Sequence, residues 1–231
     1  MARTSRKWLW RVLALLLLVA IVAGAAAWWQ LRGWTPDRAR YPLQGVLWGM
    51  EDGPANWPAL KANGAGFVYL EASSGSFARD GEINTQMERA RAAGLAVGAV
   101  HRFDPCQPAD PQAGNFATVV PRDAELLPPV IDLSKTQDAC DQTISDAAVE
   151  SELTTLLNQI ETHTGKPAIL KISSGAEEHF KLANRIERDL WLSRTWREPD
   201  YAGRPWTLWT ANPYHAYEGG ESTVRWVVAR E

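Results

Sequence analysis

Short apolar runs alternate with longer amphipathic stretches along most of this chain. Residues 45–48, 66–71, 95–101, 129–132 and 168–172 read as strands, each four to seven residues rich in β-branched, leucine or aromatic side chains and bounded by Gly or Pro. Residues 190–192, 206–209 and 223–228 are three further strand candidates. Between them lie helical stretches at 57–62, 84–93 (stopped by Gly94), 111–120 and 146–164. The last is the longest. Its Val149, Leu153, Leu156, Leu157 and Ile160 recur at helical spacing, and Gly165-Lys166-Pro167 stops it. Repeated strand–helix alternation predicts an α/β fold with a parallel sheet. Eight strands in this order fit a TIM-like (β/α) barrel, irregular in its last strands, where little helix intervenes. An open doubly wound sheet is the rival, but no Gly-rich phosphate loop follows the first strand.

The N-terminus breaks this pattern. Arg3, Arg6, Lys7 and Arg11 precede an uncharged run from Val12 to Trp29, flanked by Trp8 and Trp10 and closed by Trp28 and Trp29. A run of this length crosses a hydrocarbon core, and Trp pairs suit both headgroup layers. The expected division is a basic cytoplasmic segment (1–11), one transmembrane helix (12–29), a linker (30–42) and a globular domain (43–231). That places a single-pass protein in the inner membrane with its domain on the periplasmic side. A signal peptide cleaved near Ala25-Ala26-Ala27 is the alternative; the apolar run exceeds the usual signal core. Both readings export the domain.

Charge and cysteine usage agree with export. Taking the four N-terminal cations off the formal net charge of −3 leaves −7 for the remainder, which gives no electrostatic reason to expect nucleic acid as a partner. Cys106 and Cys140 are the only cysteines and belong to no CxxC or Cys/His cluster. In an oxidising compartment they can pair as one disulfide; two free buried thiols are the alternative. His101, His163, His179 and His215 show no ligand spacing, so neither a metal nor a cofactor is expected.

In a β/α barrel the chemistry sits at the carboxyl ends of the strands. Those ends carry Leu47, Trp48, Glu71, His101, Asp132, Ser134, Lys171, Ser173 and Trp209. Asp132 follows Val130-Ile131, where a buried strand meets the cleft; a capping or loop role is its plainer alternative. Glu71 shares a strand face with Phe67 and Tyr69, so it either enters the mouth or pairs with a cation such as Arg102. Tyr69, His101, Trp209 and Trp48 are the candidate ligand-binding side chains, weighed against burial for the Trp residues and a hydrogen-bonded structural role for His101. Glu177-Glu178 reads as a solvated helix face.

The ordered segments resemble glycoside hydrolase family 25, the lysozymes that cut the N-acetylmuramic acid to N-acetylglucosamine bond of peptidoglycan. The resemblance runs from Gly45 to Trp226 and rests on Gly45-Val46-Leu47-Trp48-Gly49, Phe67-Val68-Tyr69-Leu70-Glu71-Ala72-Ser73-Ser74-Gly75 and Ala93-Gly94-Leu95 with Gly98-Ala99-Val100-His101-Arg102-Phe103. Asn115-Phe116, Leu127-Pro128-Pro129-Val130-Ile131-Asp132, Thr164 to Leu170 and Pro205 to Trp209 continue it. What it implies is a muramidase-like barrel acting on an envelope glycan.

The departures fall on the acids. The family strand Asp-x-Glu, with both carboxyls on one face, keeps its Asp as Asp132 but has Ser134 at the general-acid Glu. The first-strand Asp is Leu47, the late Asp is Arg225, and Glu71 stands where the family usually has Lys. Glycoside hydrolysis needs a protonated carboxyl and an ionised one nearby. Three readings follow. A non-catalytic domain binds glycan or an envelope protein; an active muramidase uses Asp132 with a relocated acid such as Glu71; or a scaffold engages a protein partner through its surface.

Overall fold

In the computed structural model, residues 2–230 are described and form two compact units, one up to Trp34 and one from Thr35 onward. The first is a single helix, α1 (Ala2–Arg32), of which Trp8–Arg32 is long and apolar enough to cross a membrane. An N-terminal signal sequence has the same character. Residues 35–42, expected as linker, belong to the second unit. Tyr41 is buried there, with its ring 5.9 Å from Trp206 and 6.0 Å from Trp209.

The second unit is built on one sheet of nine strands among the described residues: β1 (Gln44–Trp48), β2 (Phe67–Ser74), β3 (Ala78–Arg79), β4 (Ala96–Arg102), β5 (Val130–Leu133), β6 (Ile169–Ile172), β7 (Asp189–Ser193), β8 (Leu208–His215) and β9 (Val224–Ala229). Neighbours run in the order β1-β9-β8-β7-β6-β5-β4-β2-β3, and β1 also pairs with β2. That last pairing closes eight strands into a barrel, with β3 as a hairpin appended to β2. Every barrel pairing from β1 to β8 is parallel. β9 lies antiparallel between β8 and β1. The irregularity expected in the last strands has this cause: β9 follows β8 through a loop with no crossover helix, so it can only return antiparallel.

The helices are α2 (Trp57–Ala62), α3 (Ile83–Ala92), α4 (Ala109–Val119), α5 (Asp146–Thr164) and α6 (Ser174–Phe180), with a 3₁₀ turn at Gln137–Ala139. α5 buries the five apolar residues of its predicted stripe. Its first turn is capped by the Ser145 side chain, and left-handed Gly165 ends it. α6 and β3 escaped the sequence reading because seven and two residues are too short for a periodic signal. Within α6, Glu177 is buried and accepts a hydrogen bond from the Ala183 amide at 2.9 Å. The solvated face expected for Glu177-Glu178 is therefore wrong for Glu177.

The interior follows from the two-residue period of a strand. Leu47, Phe67, Tyr69, Val100, Val130, Ile169, Trp191, Leu208, Val227 and Ala229, drawn from all eight barrel strands, form one buried cluster. Tyr69 and Trp191 meet edge to face at 5.1 Å. Gly98 makes room for the tyrosine: a Cβ there would fall 2.3 Å from the ring. Above this plug the same period brings in a different kind of residue, and that layer is the site.

Cys106, in the β4–α4 connection, is disulfide-bonded to Cys140, in the β5–α5 connection, across a sequence separation of 34. Closing a loop of that length contributes about 3–4 kcal/mol on the chain-entropy account. Replacing both cysteines by serine is expected to lower the thermal midpoint by about 10 °C for a domain of this size. Calorimetry of the paired variant checks this, and an unchanged midpoint would contradict it.

Candidate functional site at the barrel mouth

Two residues beyond the core member of each strand, at the carboxyl end, stand Glu71 (β2), Arg102 (β4), Asp132 (β5), Lys171 (β6), Ser193 (β7) and Thr210 (β8). Antiparallel β9 meets the same level from above with Arg225, which pairs with Leu47 in register. Each of these six strands thus changes from apolar to polar in one step of the same parity. A cavity of about 260 Å³ is lined by Glu71, Arg102, Asp132, Ser134, Lys171 and Arg225, together with Phe103 and Lys135.

The two carboxylates of this layer are engaged on both oxygens. Glu71, only 4% exposed, has Oε1 at 3.2 Å from Arg225 and Oε2 at 3.4 Å from Arg102. Asp132, equally buried, accepts from Ser134 Oγ on Oδ1 and from Lys171 Nζ on Oδ2. Arg225 also binds Asp52, whose carboxylate caps the Gly49 amide at 2.6 Å. At Gly49 a Cβ would lie 2.5 Å from the Arg225 guanidinium and 3.0 Å from Glu71, so a side chain there would displace these charged ends. The network therefore runs continuously from Asp52 through Arg225 and Glu71 to Arg102. Lys171 additionally lies 5.9 Å from the Trp191 ring centre.

Four side chains expected to bind a ligand are not on the cleft surface. Tyr69 points inward but one layer too deep, under Trp191, and burial raises its hydroxyl pKa. Trp48 is buried with its indole N–H on the Gly53 carbonyl at 3.0 Å, packed edge to face on Trp57. Trp209 is buried with its N–H on the Arg194 carbonyl at 2.7 Å. His101 has the wrong parity. It alternates with the inward Val100 and Arg102, so its ring faces the helices and is fully buried.

The His101 surroundings fix its tautomer. Gln112 Nε2 donates to the carbonyls of Asp104 and Gln107 at 2.9 Å, which leaves Gln112 Oε1 facing His101 Nε2 at 3.3 Å. Nε2 therefore carries the proton, and Nδ1 accepts from Ser73 Oγ at 2.8 Å. Desolvation lowers the ring pKa from 6.5 to about 4 despite the Gln112 hydrogen bond. Between those pH values the unfolded chain binds a proton that the folded chain does not. Acidification through this window thus costs about 1.4 kcal/mol per pH unit. The stability advantage of the parent over His101→Gln should shrink at that rate from pH 6.5 to 4 in urea unfolding. A constant difference would contradict the assignment.

A second cavity, of about 200 Å³, adjoins the first through Lys171 and Arg225 and is otherwise lined by Leu47, Ser193, Arg194, Thr195, Thr210 and Pro213. Arg194 and Thr210 had not been singled out from sequence; a two-residue step beyond the core member would have found Thr210. Among the described residues no group of three or more His, Cys, Asp or Glu is placed to hold a metal ion.

An eight-stranded barrel with a polar cleft at its carboxyl end is an enzyme-like architecture that hosts many chemistries, and the family match narrows it. The family model described as glycosyl hydrolases family 25 matches residues 48–217. The chain belongs to that family. A family 25 glycosyl hydrolase from Bacillus anthracis is 25% identical, with a TM-score of 0.76 over 86% of this chain and 92% of that one. The bacterial lysozyme from Streptomyces coelicolor superposes with a TM-score of 0.71 at 19% identity, over 82% and 92% of the two chains. Among curated proteins, the uncharacterized protein YegX of Escherichia coli K12 is 27% identical over 145 residues, 62% of this chain. The chain spans about half the length of the curated relatives it matches.

Proposed function

We propose that this protein is a membrane-anchored, periplasm-facing member of family 25 that holds peptidoglycan without cutting it. One observation carries the reading: the two carboxylates left in the mouth, Asp132 and Glu71, have every oxygen engaged by a cation or a hydroxyl. A general acid must present its carboxyl to the glycosidic oxygen, and on both residues the substrate would have to compete with a cation or hydroxyl already held by each oxygen. Ser134 and Arg225, at two family acid positions, line the same cavity and supply no carboxyl. The helix over Trp8–Arg32 supports the anchor, with the N-terminal arginines and lysine on the cytoplasmic side.

A second reading, an active muramidase working through Asp132 and Glu71, is favoured by one fact. Both side chains line a single cavity and are almost fully buried. For that reading their ion pairs would have to open when substrate binds. Binding to an envelope protein is a further role that the same surface permits.

The test of the holding role is cosedimentation of the full chain, in detergent, with purified sacculi. Retention in the pellet, competed by soluble glycan strands, is the expected result. Recovery of all protein in the supernatant would reject glycan holding.

A further inference from the structure

On the loop that continues the rim of the mouth, three side chains from three elements meet. Gln137 lies on the 3₁₀ turn of the β5–α5 connection, Asp146 opens α5, and His179 stands in the last turn of α6. Gln137 Nε2 is 2.5 Å from Asp146 Oδ1 and 3.2 Å from His179 Nε2. His179 Nε2 is itself 3.3 Å from that Asp146 oxygen. The amide oxygen of Gln137 is buried with no hydrogen-bond partner. The turn is coupled closely to the charged cavity. Its lining residues Ser134 and Lys135 precede Gln137 by three and two residues, and Cys140, fixed by the disulfide, follows it by three.

This triangle makes opposite demands on one nitrogen. Towards the Gln137 amide, His179 Nε2 has to accept, which requires a neutral ring with its proton on Nδ1. Towards Asp146 it has to donate, and on a charged ring that donor makes an ion pair. With the ring neutral, the two hydrogens of the Gln137 amide reach Asp146 and His179 and tie the turn to both helices. With the ring charged, Nε2 turns an N–H toward an amide nitrogen that accepts nothing, and Asp146 becomes the partner of the imidazolium. A half turn of the amide then sets its unpartnered oxygen toward the imidazolium and gives up its bond to Asp146. Imidazole is the side chain that changes charge between about pH 5 and 8.

The other charged groups on these elements are Lys135 and Asp138 beside the turn, Glu177 and Glu178 on α6, Lys181 at its end, and Glu150 on α5. Asp138 is held by Thr136 at 2.6 Å and Glu150 by Arg185 at 2.9 Å. Among the described residues only Asp146 lies within ion-pair distance of the His179 ring. We infer that Gln137, Asp146 and His179 form a proton-operated latch on the rim of the mouth. Neutral His179 holds the turn, and its protonation releases the segment that carries Ser134 and Lys135. What the latch does for glycan rests on the holding role proposed above.

Amide hydrogen exchange of the full chain in detergent, read by mass spectrometry at about pH 7.5 and about pH 5.5, tests the latch. After correction for the intrinsic pH dependence of exchange, protection of residues 134–140 should fall about threefold to tenfold in acid, the worth of one hydrogen bond. The buried stripe of α5 should keep its protection in both buffers. His179→Gln, an uncharged acceptor at either pH, should leave the segment protected in both, and His179→Arg, a permanent cation, should loosen it in both. In the parent, the Gln137 side-chain amide resonances should shift together with the His179 ring titration. Protection that ignores pH in the parent, or that falls equally in His179→Gln, would overturn the inference. The readout contains no glycan, so failure of the holding role leaves the latch standing, and failure of the latch leaves glycan holding intact.

Discussion

If the mouth holds glycan without cutting it, placing a glutamate at position 134 is expected to confer hydrolysis. Position 134 lies two residues beyond Asp132, on the rim of the charged cavity, and its side chain is exposed enough to accept a longer residue. Ser134→Glu supplies a general acid, a group worth about 10²–10⁴ in rate. It also removes the hydroxyl that occupies Asp132 Oδ1. Turnover of peptidoglycan should rise from background by about 10²-fold at least, followed as release of reducing ends. Combining it with Leu47→Asp, Glu71→Lys and Arg225→Asp should raise the rate further. The single variant guards the test, because Leu47 is buried in the core cluster and an aspartate there can unfold the domain. Folded Ser134→Glu and a folded combination that both stay at background would contradict the view that absent acids are what keeps the mouth from cutting.

The second large effect concerns the Glu71–Arg225 pair. Glu71 and Arg225 meet at 3.2 Å, and the family resemblance implies a lysine and an acid at these positions, an arrangement of opposite sign and the same net charge. Arg225→Asp alone sets a carboxylate beside Glu71 and Asp52, and Glu71→Lys alone sets an ammonium between Arg225 and Arg102. Breaking a buried pair typically costs about 3–5 kcal/mol. Arg225 is 28% exposed, so solvent screening brings the expected loss to about 2–3 kcal/mol for each single change. The double variant should lose only about 2 kcal/mol where additive effects would give about 4–6 kcal/mol, a coupling of about 3 kcal/mol in a double-mutant cycle. Additive losses measured by urea unfolding would show that the two positions do not act as a pair.

The strand pattern was legible because each barrel strand is a short apolar run between Gly, Pro or polar punctuation. The eight runs read from sequence correspond to the eight barrel strands, β1, β2 and β4 to β9. What could not be read was the side on which each strand-end residue lands. Trp48 and His101 each differ by one residue from inward positions Leu47 and Val100, and one residue is a whole face of a strand. Tyr69 has the inward parity but stands a layer too low, a matter of depth that only the closed barrel defines. Lys171 appeared as a strand end, yet its ion pair with Asp132 requires β5 and β6 to be neighbours in register, Asp132 opposite Lys171. Arg194 lies on a loop whose path the sequence does not specify, and Glu71's two arginines come from β4 and β9 on different sides of β2. Long-range charge partnerships of this kind follow from topology, and composition carries no trace of them.

The central claim is that the mouth holds glycan and does not cut it. Its most direct test is prolonged digestion of purified peptidoglycan by the folded full chain, with soluble products identified by mass spectrometry. The account predicts no fragments ending at the muramic acid linkage above the no-protein control. Fragments cut at that linkage, and abolished by Asp132→Asn, would contradict it and establish a working muramidase with a relocated acid.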